Sequence, residues 1–457
     1  MNKLNIVILA AGMGKRMQSS VPKVLHKLAG KPLLMHVIDT ARKLMPNKIC
    51  VVYGYGGELV REQLTDEDII WVEQVEQLGT GHALMQALPI MDQEGVTLVL
   101  YGDVPLVKIS TLQKLIDVAE DACGLLTDNL EPPKGYGRII REAGNNNILA
   151  IVEEKDATNE QKQISEINTG VMVVPNRYLL EWLPKLKNSN QQKEYYLTDI
   201  ISMSVNNNIA VASVQPGHSW EILGVNSKVQ LELLERIYQK ENARKLLEQG
   251  VGLIDASRID IRGQLQCGRD VEIDVNCIFE GNVVLGDDVT IHAHNRLKNV
   301  TIAAGTTIAA NSFIEDAVIG ENCKIGPYAR IRPGTKLADK VHIGNFVEVK
   351  NSLIAAGSKA NHLSYIGDTV MGQNVNVGAG TITCNYDGVN KHKTIIEDNV
   401  FIGSDTQFIA PVTVSEGATI GAGSTITRDV AQGQLALSRA KQSSITGWKR
   451  PVKKLKV

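Results

Sequence analysis

Aromatic residues are scarce in this sequence, 4% of 457 positions, and charge of either sign is barely in excess, with a formal net charge of -2. A chain without surplus positive charge is a poor general partner for nucleic acid, whose phosphates call for a basic surface. No apolar run approaches the roughly 18 residues of a membrane span. The early apolar stretch at residues 6–11 is too short for a secretory h-region. The six cysteines (Cys50, Cys123, Cys267, Cys277, Cys323, Cys384) include no C-x-x-C pair. That spacing argues against a disulfide framework or a zinc ribbon, and a reducing cytoplasm is the expected compartment. Glycine, by contrast, is plentiful, at 40 residues. A large part of the chain is therefore built from small, turn-rich units, and its length suits about two to four domains.

Residues 1–226 read as alternating strands and helices. Strand-length apolar runs recur at 5–10, 48–53, 69–72 and 97–101, with helical patterns between the early ones, such as Leu33, His36, Val37, Thr40, Ala41 and Leu44. This alternation predicts βαβ units and a mostly parallel sheet. Residues 227–250 differ: Val229, Leu231, Leu234, Ile237 and Tyr238 lie close to helical period among many charges. Ser227 with Gln230 makes a capping box and Gly250 suits the position just past a helix end, so a single connecting helix is expected.

Residues 251–457 form the last segment, and from residue 261 the period changes again. Apolar residues return every six positions at Ile261, Cys267, Ile273, Phe279, Leu285, Ile291 and Leu297; one-residue slips precede Ile302 and Ile319. The pattern breaks after Val377 and resumes at Ile396, Ile402, Phe408, Val414, Ile420 and Ile426. This is a hexapeptide solenoid, each hexad one short strand plus a turn and three hexads one triangular coil. Between residues 261 and 426 that predicts about nine coils, stacked at roughly 4.8 Å as parallel strands. The polar interruption around residues 384–393 predicts a loop projecting from the prism.

Two constellations suggest chemistry. The first strand runs into L-A-A-G-M-G-K-R-M at residues 9–17, a glycine-rich turn whose N–H groups could face a phosphate, with Arg16 adding charge. It matches neither a dinucleotide fingerprint nor a Walker A loop, and alone it reads equally as a plain tight turn. Lys23 lies just beyond it, and Asp103 ends the apolar run at 97–101. Ligands of parallel sheets bind beyond the carboxyl ends of strands, where an Asp can hold Mg²⁺ against a triphosphate, although an Asp capping the next turn fits the spacing as well. The turn Q-L-G-T-G at 77–81 would suit a nucleobase.

These motifs, with Y-G-D-V-P-L, G-Y-G-R-I, E-I-N-T-G and the C-terminal N-V-N-V-G-A-G-T-I-T-C-N-Y-D-G, resemble end to end the bifunctional N-acetylglucosamine-1-phosphate uridylyltransferase/glucosamine-1-phosphate acetyltransferase family. The resemblance implies an α/β Rossmann-like nucleotidyltransferase domain, a connecting helix and a left-handed parallel β-helix. It departs from the family at Met13 and Lys15, where Lys and Thr are common, and at 131–134 before the G-Y-G motif.

Carried over residue by residue, Leu9, Ala10, Ala11, Gly12 and Lys23 would contact UTP, with Arg16 on the triphosphate. Gln74, Gly79 and Thr80 would read uracil, and Tyr101 and Gly102 would line the site. Gly137, Glu153 and Asn168 would hold the sugar, and Asp103 and Asn226 would bind Mg²⁺. In the acetyltransferase half His362 matches the family's general base. Arg332 and Lys350 would bind the sugar phosphate, with Tyr365 and Asn376 on the sugar. Ala379, Asn385, Tyr386, Ser404, Ala422 and Arg439 would contact acetyl-CoA. The resemblance further implies direct acetyl transfer and a homotrimer.

Other residues attract blander readings. His292 and His294 form an i, i+2 pair without a third ligand and read as turn residues. Cys384 lacks a local basic partner, and the basic stretch at 448–456 reads as a solvated tail or an aid to holding CoA. Two alternatives stay open: a uridylyltransferase whose hexapeptide half is a trimerisation scaffold, and a sugar-nucleotide sensor with the same fold.

Overall fold

The structure, a computed structural model, describes residues 3–453 apart from positions 66 and 120 and the side chain of Lys15. The chain divides into two compact units, Met1–Tyr238 and Gln239–Val457, the division falling inside one helix.

The first unit is built on a nine-stranded sheet. Its strands are β1 (Leu4–Ala10), β2 (Lys48–Tyr53), β3 (Ile69–Glu73), β4 (Val96–Tyr101), β5 (Cys123–Asn129), β6 (Gly137–Arg141), β7 (Ile148–Val152), β8 (Glu166–Pro175) and β9 (Val211–Val214). The path runs β9-β5-β8-β4-β1-β2-β3, with the β6–β7 hairpin joined through β8. β1 is apolar almost throughout because it lies between parallel neighbours and is covered on both faces. One face carries α1 (Leu33–Lys43) and, later, α4 (Ile109–Asp117), through Val37, Ile38, Ala41, Leu112 and Leu115. The other carries α3 (Thr80–Gln86), α5 (Asn176–Trp182) and α6 (Asp199–Asn206), through Ala83, Leu84, Trp182 and Ile200. α2 (Gly57–Gln63) follows β2.

The expected parallel alternation holds for β1 to β4 and then gives way. β8 runs antiparallel to β4, β5 and β6, and a register shift between Asn168 and Met172 lets one ten-residue strand serve the hairpin and the main sheet.

The predicted connecting helix is α7 (Lys228–Glu248). Gln230 N–H donates to Ser227 Oγ at 3.3 Å, as a capping box requires. The Gln230 side chain does not close on Ser227, however; its Oε1 accepts from Asn226 N–H at 2.8 Å, one residue earlier. The far end is a Schellman turn: Gly250 has φ +89, its N–H reaches Leu247 C=O and Val251 N–H reaches Leu246 C=O. Leu234 packs in the first unit, whereas Ala243 and Leu246 belong to the core of the second.

The second unit is a parallel β-helix. Nine successive parallel pairings carry Ile259–Cys267 up to Thr425–Ile426. An adjoining face is an eleven-stranded ladder from Gly252–Leu253 to Leu435–Ala436. The hexad residues Ile261, Phe279, Leu297, Ile314, Ile331 and Val349 are all buried inside. Corners repeat a left-handed residue: Asn276, His294, Asn311, Tyr328, Phe346 and Leu363 all have φ between 50 and 63. That need for positive φ accounts for the glycine, Asn and Asp content. Some buried corner hydroxyls carry the turn, as where Ser358 Oγ donates to Gly372 C=O at 2.7 Å and accepts from Val375 N–H at 2.9 Å, whereas Thr335 Oγ1 is buried without a partner among the described residues.

The first slip in the hexad pattern is a shortened corner, where Gly281 and Asn282 on one coil lie against Asn299 alone on the next. The lowest rung would present an open edge. Gln239 covers it, its side-chain amide accepting from Ile261 N–H at 2.7 Å and donating to Ile261 C=O at 3.0 Å as a strand would.

Candidate active sites

At the carboxyl ends of β1 and β4 lies a cleft of about 230 Å³. Its lining includes Leu9, Ala10, Ala11, Gly12, Lys23, Gln74, Gly79, Thr80, Tyr101 and Asp103, ten of the residues that the sequence nominated. The glycine turn is shaped by necessity: Gly14 has φ +61, and a Cβ there would stand 2.7 Å from Lys23 Cβ. Gly79, at φ +109, leaves no room for a Cβ against Tyr195 C=O, 2.7 Å away. Arg16 is placed differently; it sits exposed in the short Lys15–Met17 turn and is not part of the cleft lining.

Lys23 Nζ donates to Asp103 Oδ2 at 2.5 Å and to Asn226 Oδ1 at 2.9 Å, so one cation position is already shared by both nominated metal ligands. Asn226 arrives there because Val225 N–H donates to Asp103 C=O at 2.8 Å. Glu221, fully buried, anchors the preceding segment by accepting from Thr111 Oγ1 at 2.6 Å, His218 N–H at 3.1 Å and Lys108 N–H at 3.3 Å. Two hard oxygen donors with room left for phosphate and water oxygens are what Mg²⁺ accepts. Among the described residues no group of three or more His, Cys, Asp or Glu gathers into a metal cluster.

The three nominated sugar residues also converge. Asn168 pairs with Gly137 across β8 and β6, and a Cβ on Gly137 would lie 3.5 Å from the Glu153 carboxylate. Burial pushes the Glu153 carboxyl above its ordinary value, with Asp156, Asp199 and Glu194 adding to it, while Thr198 Oγ1, donating at 3.1 Å, pulls the other way. Burial, then Glu153 and Asp103, also raise the Tyr101 phenol. A larger, shallower cavity of about 860 Å³ opens beside α2 among Tyr53, Gly57, Arg61 and Glu73; of the nominated residues it contains none.

In the second unit, His362 stands exposed at a corner with its Nδ1 2.9 Å from Asn345 Oδ1 on the preceding coil. An amide oxygen only accepts, so the ring proton lies on Nδ1 and Nε2 keeps its lone pair for a substrate. Arg332, Lys350 and Tyr365 lie on adjacent rungs of one face and Asn376 on the next face round the corner. Arg332 is bonded to Glu348 at 2.7 Å. Lys391 lies against Lys350, and this second ammonium, with some burial, holds the Lys350 amine below its ordinary value. Two lysine amines side by side, only partly offset by Asp368, invite an anion.

Ala379 continues the His362 corner in register, and Ser404 and Ala422 follow on the next two coils, linked by Asp405 N–H to Ala379 C=O and Gly423 N–H to Ser404 C=O. Arg439 Nη1 donates to Ala422 C=O at 2.8 Å. Asn385 is buried, its amide tied to Asp368, whereas Tyr386 is exposed. The loop after them is closed by Asp387, which accepts from Asn390 N–H, Val389 N–H and His392 Nε2. His294 sits at a left-handed corner with His292 two residues before it. Lys454, Leu455 and Lys456 of the basic stretch lie outside the described residues.

Known proteins match this layout along the whole chain. Residues 6–253 match the model of the MobA-like NTP transferase domain, 261–345 the GMPPB C-terminal domain and 393–428 the bacterial transferase hexapeptide of six repeats. A solved nucleotidyl transferase from Methanothermobacter thermautotroptrophicus is similar over 53% of this chain and 100% of its own, at 17% identity and a TM-score of 0.40. The "Bifunctional protein GlmU" of Nitrosospira multiformis is 66% identical over 100% of this chain and 99% of its own. Those of Nitrosomonas eutropha and Nitrosomonas europaea are 63% and 62% identical, each over 99% of both chains. The chain belongs to the GlmU family.

It is accordingly a bifunctional enzyme, a uridylyltransferase and an acetyltransferase in one chain, and a nucleotide is among its substrates. Some residues at these GlmU sites had no sequence signal. Glu194 lines the cleft beyond β1 and β4 from a distant loop, and Asn345 is brought to His362 only by the coil repeat, 17 residues away. A reading of each nominated residue against the residue one coil earlier would have found Asn345.

Proposed function

We propose that the first unit transfers uridylyl from UTP to N-acetylglucosamine-1-phosphate and the second transfers acetyl from acetyl-CoA to glucosamine-1-phosphate, the acetylation coming first. The observation that carries the first assignment is the convergence of Lys23, Asp103 and Asn226 on one cation position beside the glycine turn. A phosphate oxygen of the sugar attacks the α-phosphorus, a new P–O bond forms, and the bond to pyrophosphate breaks. Lys23 and the turn's N–H groups neutralise charge on the leaving pyrophosphate. Asp103 and Asn226 would hold Mg²⁺, which supplies charge neutralisation to the triphosphate when bound. Gln74, Gly79 and Thr80 read uracil; Gly137, Glu153 and Asn168 hold the sugar.

In the second unit His362 Nε2 takes a proton from the 2-amino group, since an ammonium is no nucleophile. The amine then attacks the thioester carbonyl, the C–S bond breaks, and the CoA thiolate leaves. Transfer is direct. The Lys350–Lys391 pair and Arg332 suit the sugar phosphate, Tyr365 and Asn376 the sugar, and the corner column Ala379, Ser404 and Ala422 with Asn385, Tyr386 and Arg439 the CoA. The protein works as a cytoplasmic homotrimer, the loop around Asp387 reaching a neighbouring chain. No helix among the described residues is long and apolar enough to cross a membrane.

A two-part assay on purified protein tests this. UTP, Mg²⁺ and N-acetylglucosamine-1-phosphate should release pyrophosphate; acetyl-CoA and glucosamine-1-phosphate should release thiol. Pyrophosphate without thiol would reduce the second unit to a scaffold, and an active monomer in equilibrium sedimentation would remove the trimer.

A further inference from the structure

Gln74, which lines the nucleotide cleft, is only 3% exposed and is held from behind. Its Nε2 donates to Gly79 C=O at 3.2 Å and lies 3.1 Å from His82 Nδ1. The opposite ring nitrogen, Nε2 of His82, lies 3.2 Å from Gln86 Nε2, which also donates to His82 C=O at 3.2 Å. A neutral imidazole can accept at only one of its nitrogens, so two amide N–H groups compete for it. Burial decides between them. Gln86 ends α3 and is partly exposed, so it can swing off the ring and leave that place to a water. Gln74 cannot leave, and turning its amide over would set its oxygen against the Gly79 carbonyl. His82 therefore accepts at Nδ1 and carries its proton on Nε2.

This settles which atom Gln74 offers to a base. Both of its N–H bonds point to the protein, and Oε1 is left as the acceptor without a protein donor among the described residues. Uracil presents an N–H at N3; cytosine presents a lone pair there. We infer that His82 is a positioning residue for base choice: by accepting from Gln74 it fixes the amide so that Oε1 selects a uridine over a cytidine nucleotide. The inference rests on the uridylyltransferase reading of the first unit and adds a residue that never touches the nucleotide.

The test compares UTP with CTP as substrates for pyrophosphate release by wild type, His82→Leu and His82→Asn, the last keeping an acceptor oxygen near the place of Nδ1. In His82→Leu the ratio of kcat/KM for UTP to that for CTP should fall about tenfold, the worth of one buried neutral hydrogen bond. The change should come mainly through a higher KM for UTP. His82→Asn should hold the ratio within about threefold of wild type by restoring that bond. Nucleotide binding followed by calorimetry without sugar phosphate should show the same order. A His82→Leu protein with a wild-type melting curve and an unchanged ratio would overturn the role of His82. A wild-type protein that does not prefer UTP would instead overturn the uridylyltransferase reading itself.

Discussion

His362 and Asn345 occupy equivalent places on consecutive coils, and the 2.9 Å contact between Nδ1 and Oδ1 gives the imidazole a single tautomer. Asn345→Leu should lower kcat for acetyl transfer by about fivefold to tenfold, the worth of one hydrogen bond, with little change in KM. His362→Ala should lower it by roughly 10²–10⁴-fold. Thiol release measures both, and pyrophosphate release by the same preparations should stay at the wild-type level. Loss of both activities in a folded His362→Ala protein would sink the two-site reading.

Asp103→Ala should abolish Mg²⁺-dependent uridylyl transfer and leave acetyl transfer nearly intact. The substitution also strips Lys23 of its 2.5 Å partner, leaving Asn226 as its recorded acceptor. Mn²⁺ binding followed by electron paramagnetic resonance should weaken in parallel; unchanged Mn²⁺ binding would remove Asp103 from the ligand set.

Glu153 carries a stability signature with a definite sign. Its folded pKa is raised, chiefly by burial, so the native state binds its proton more tightly than the unfolded chain does. Stability from this group is therefore greatest at acid pH and falls as pH rises through its folded pKa. Glu153→Gln should melt higher than wild type near pH 7, by roughly 2–4 °C for each kcal/mol relieved. The difference should vanish at acid pH, where the wild-type carboxyl is protonated. Sugar-phosphate affinity should drop at the same time. Calorimetry across pH settles the sign; a lower melting point near pH 7 would contradict it.

Gly14→Ala should raise the KM for UTP. A left-handed alanine costs on the order of 1–2 kcal/mol, and its methyl would meet Lys23 Cβ at 2.7 Å, pushing the lysine off Asp103. Acetyl transfer serves as the internal control, and an unchanged KM would mean that the turn does not touch the nucleotide.

The second unit was the more legible half. A six-residue period needs only one apolar side chain per hexad, and Ile261, Phe279 and Leu297 announce the register without reference to distant sequence. Gly250 announced the helix end for an equally local reason, its positive φ. The first unit showed β1 to β4 through their apolar runs but concealed the antiparallel β8, because pairing direction is set by the hairpin that precedes it rather than by composition. Glycine turns and strand-end carboxylates pointed to the nucleotide cleft. Glu194 and Glu221 left no such mark, since each acts by where the fold carries it. Arg16, nominated by its neighbours in sequence, is exposed and is not among the residues that line the cleft.

The shortened corner at Asn299 shows how the β-helix absorbs a change in length. One residue fewer at a bend leaves every later side chain on its own side of the wall, because the strands on either flank keep their alternation. The same deletion inside a strand would turn the rest of that rung inside out, sending Ile and Val to water and Lys and Glu to the interior. Length variation in this half is therefore quantised: a corner residue, an inserted loop between rungs such as the one closed by Asp387, or a whole coil. Everything between those sizes is forbidden by the pleat.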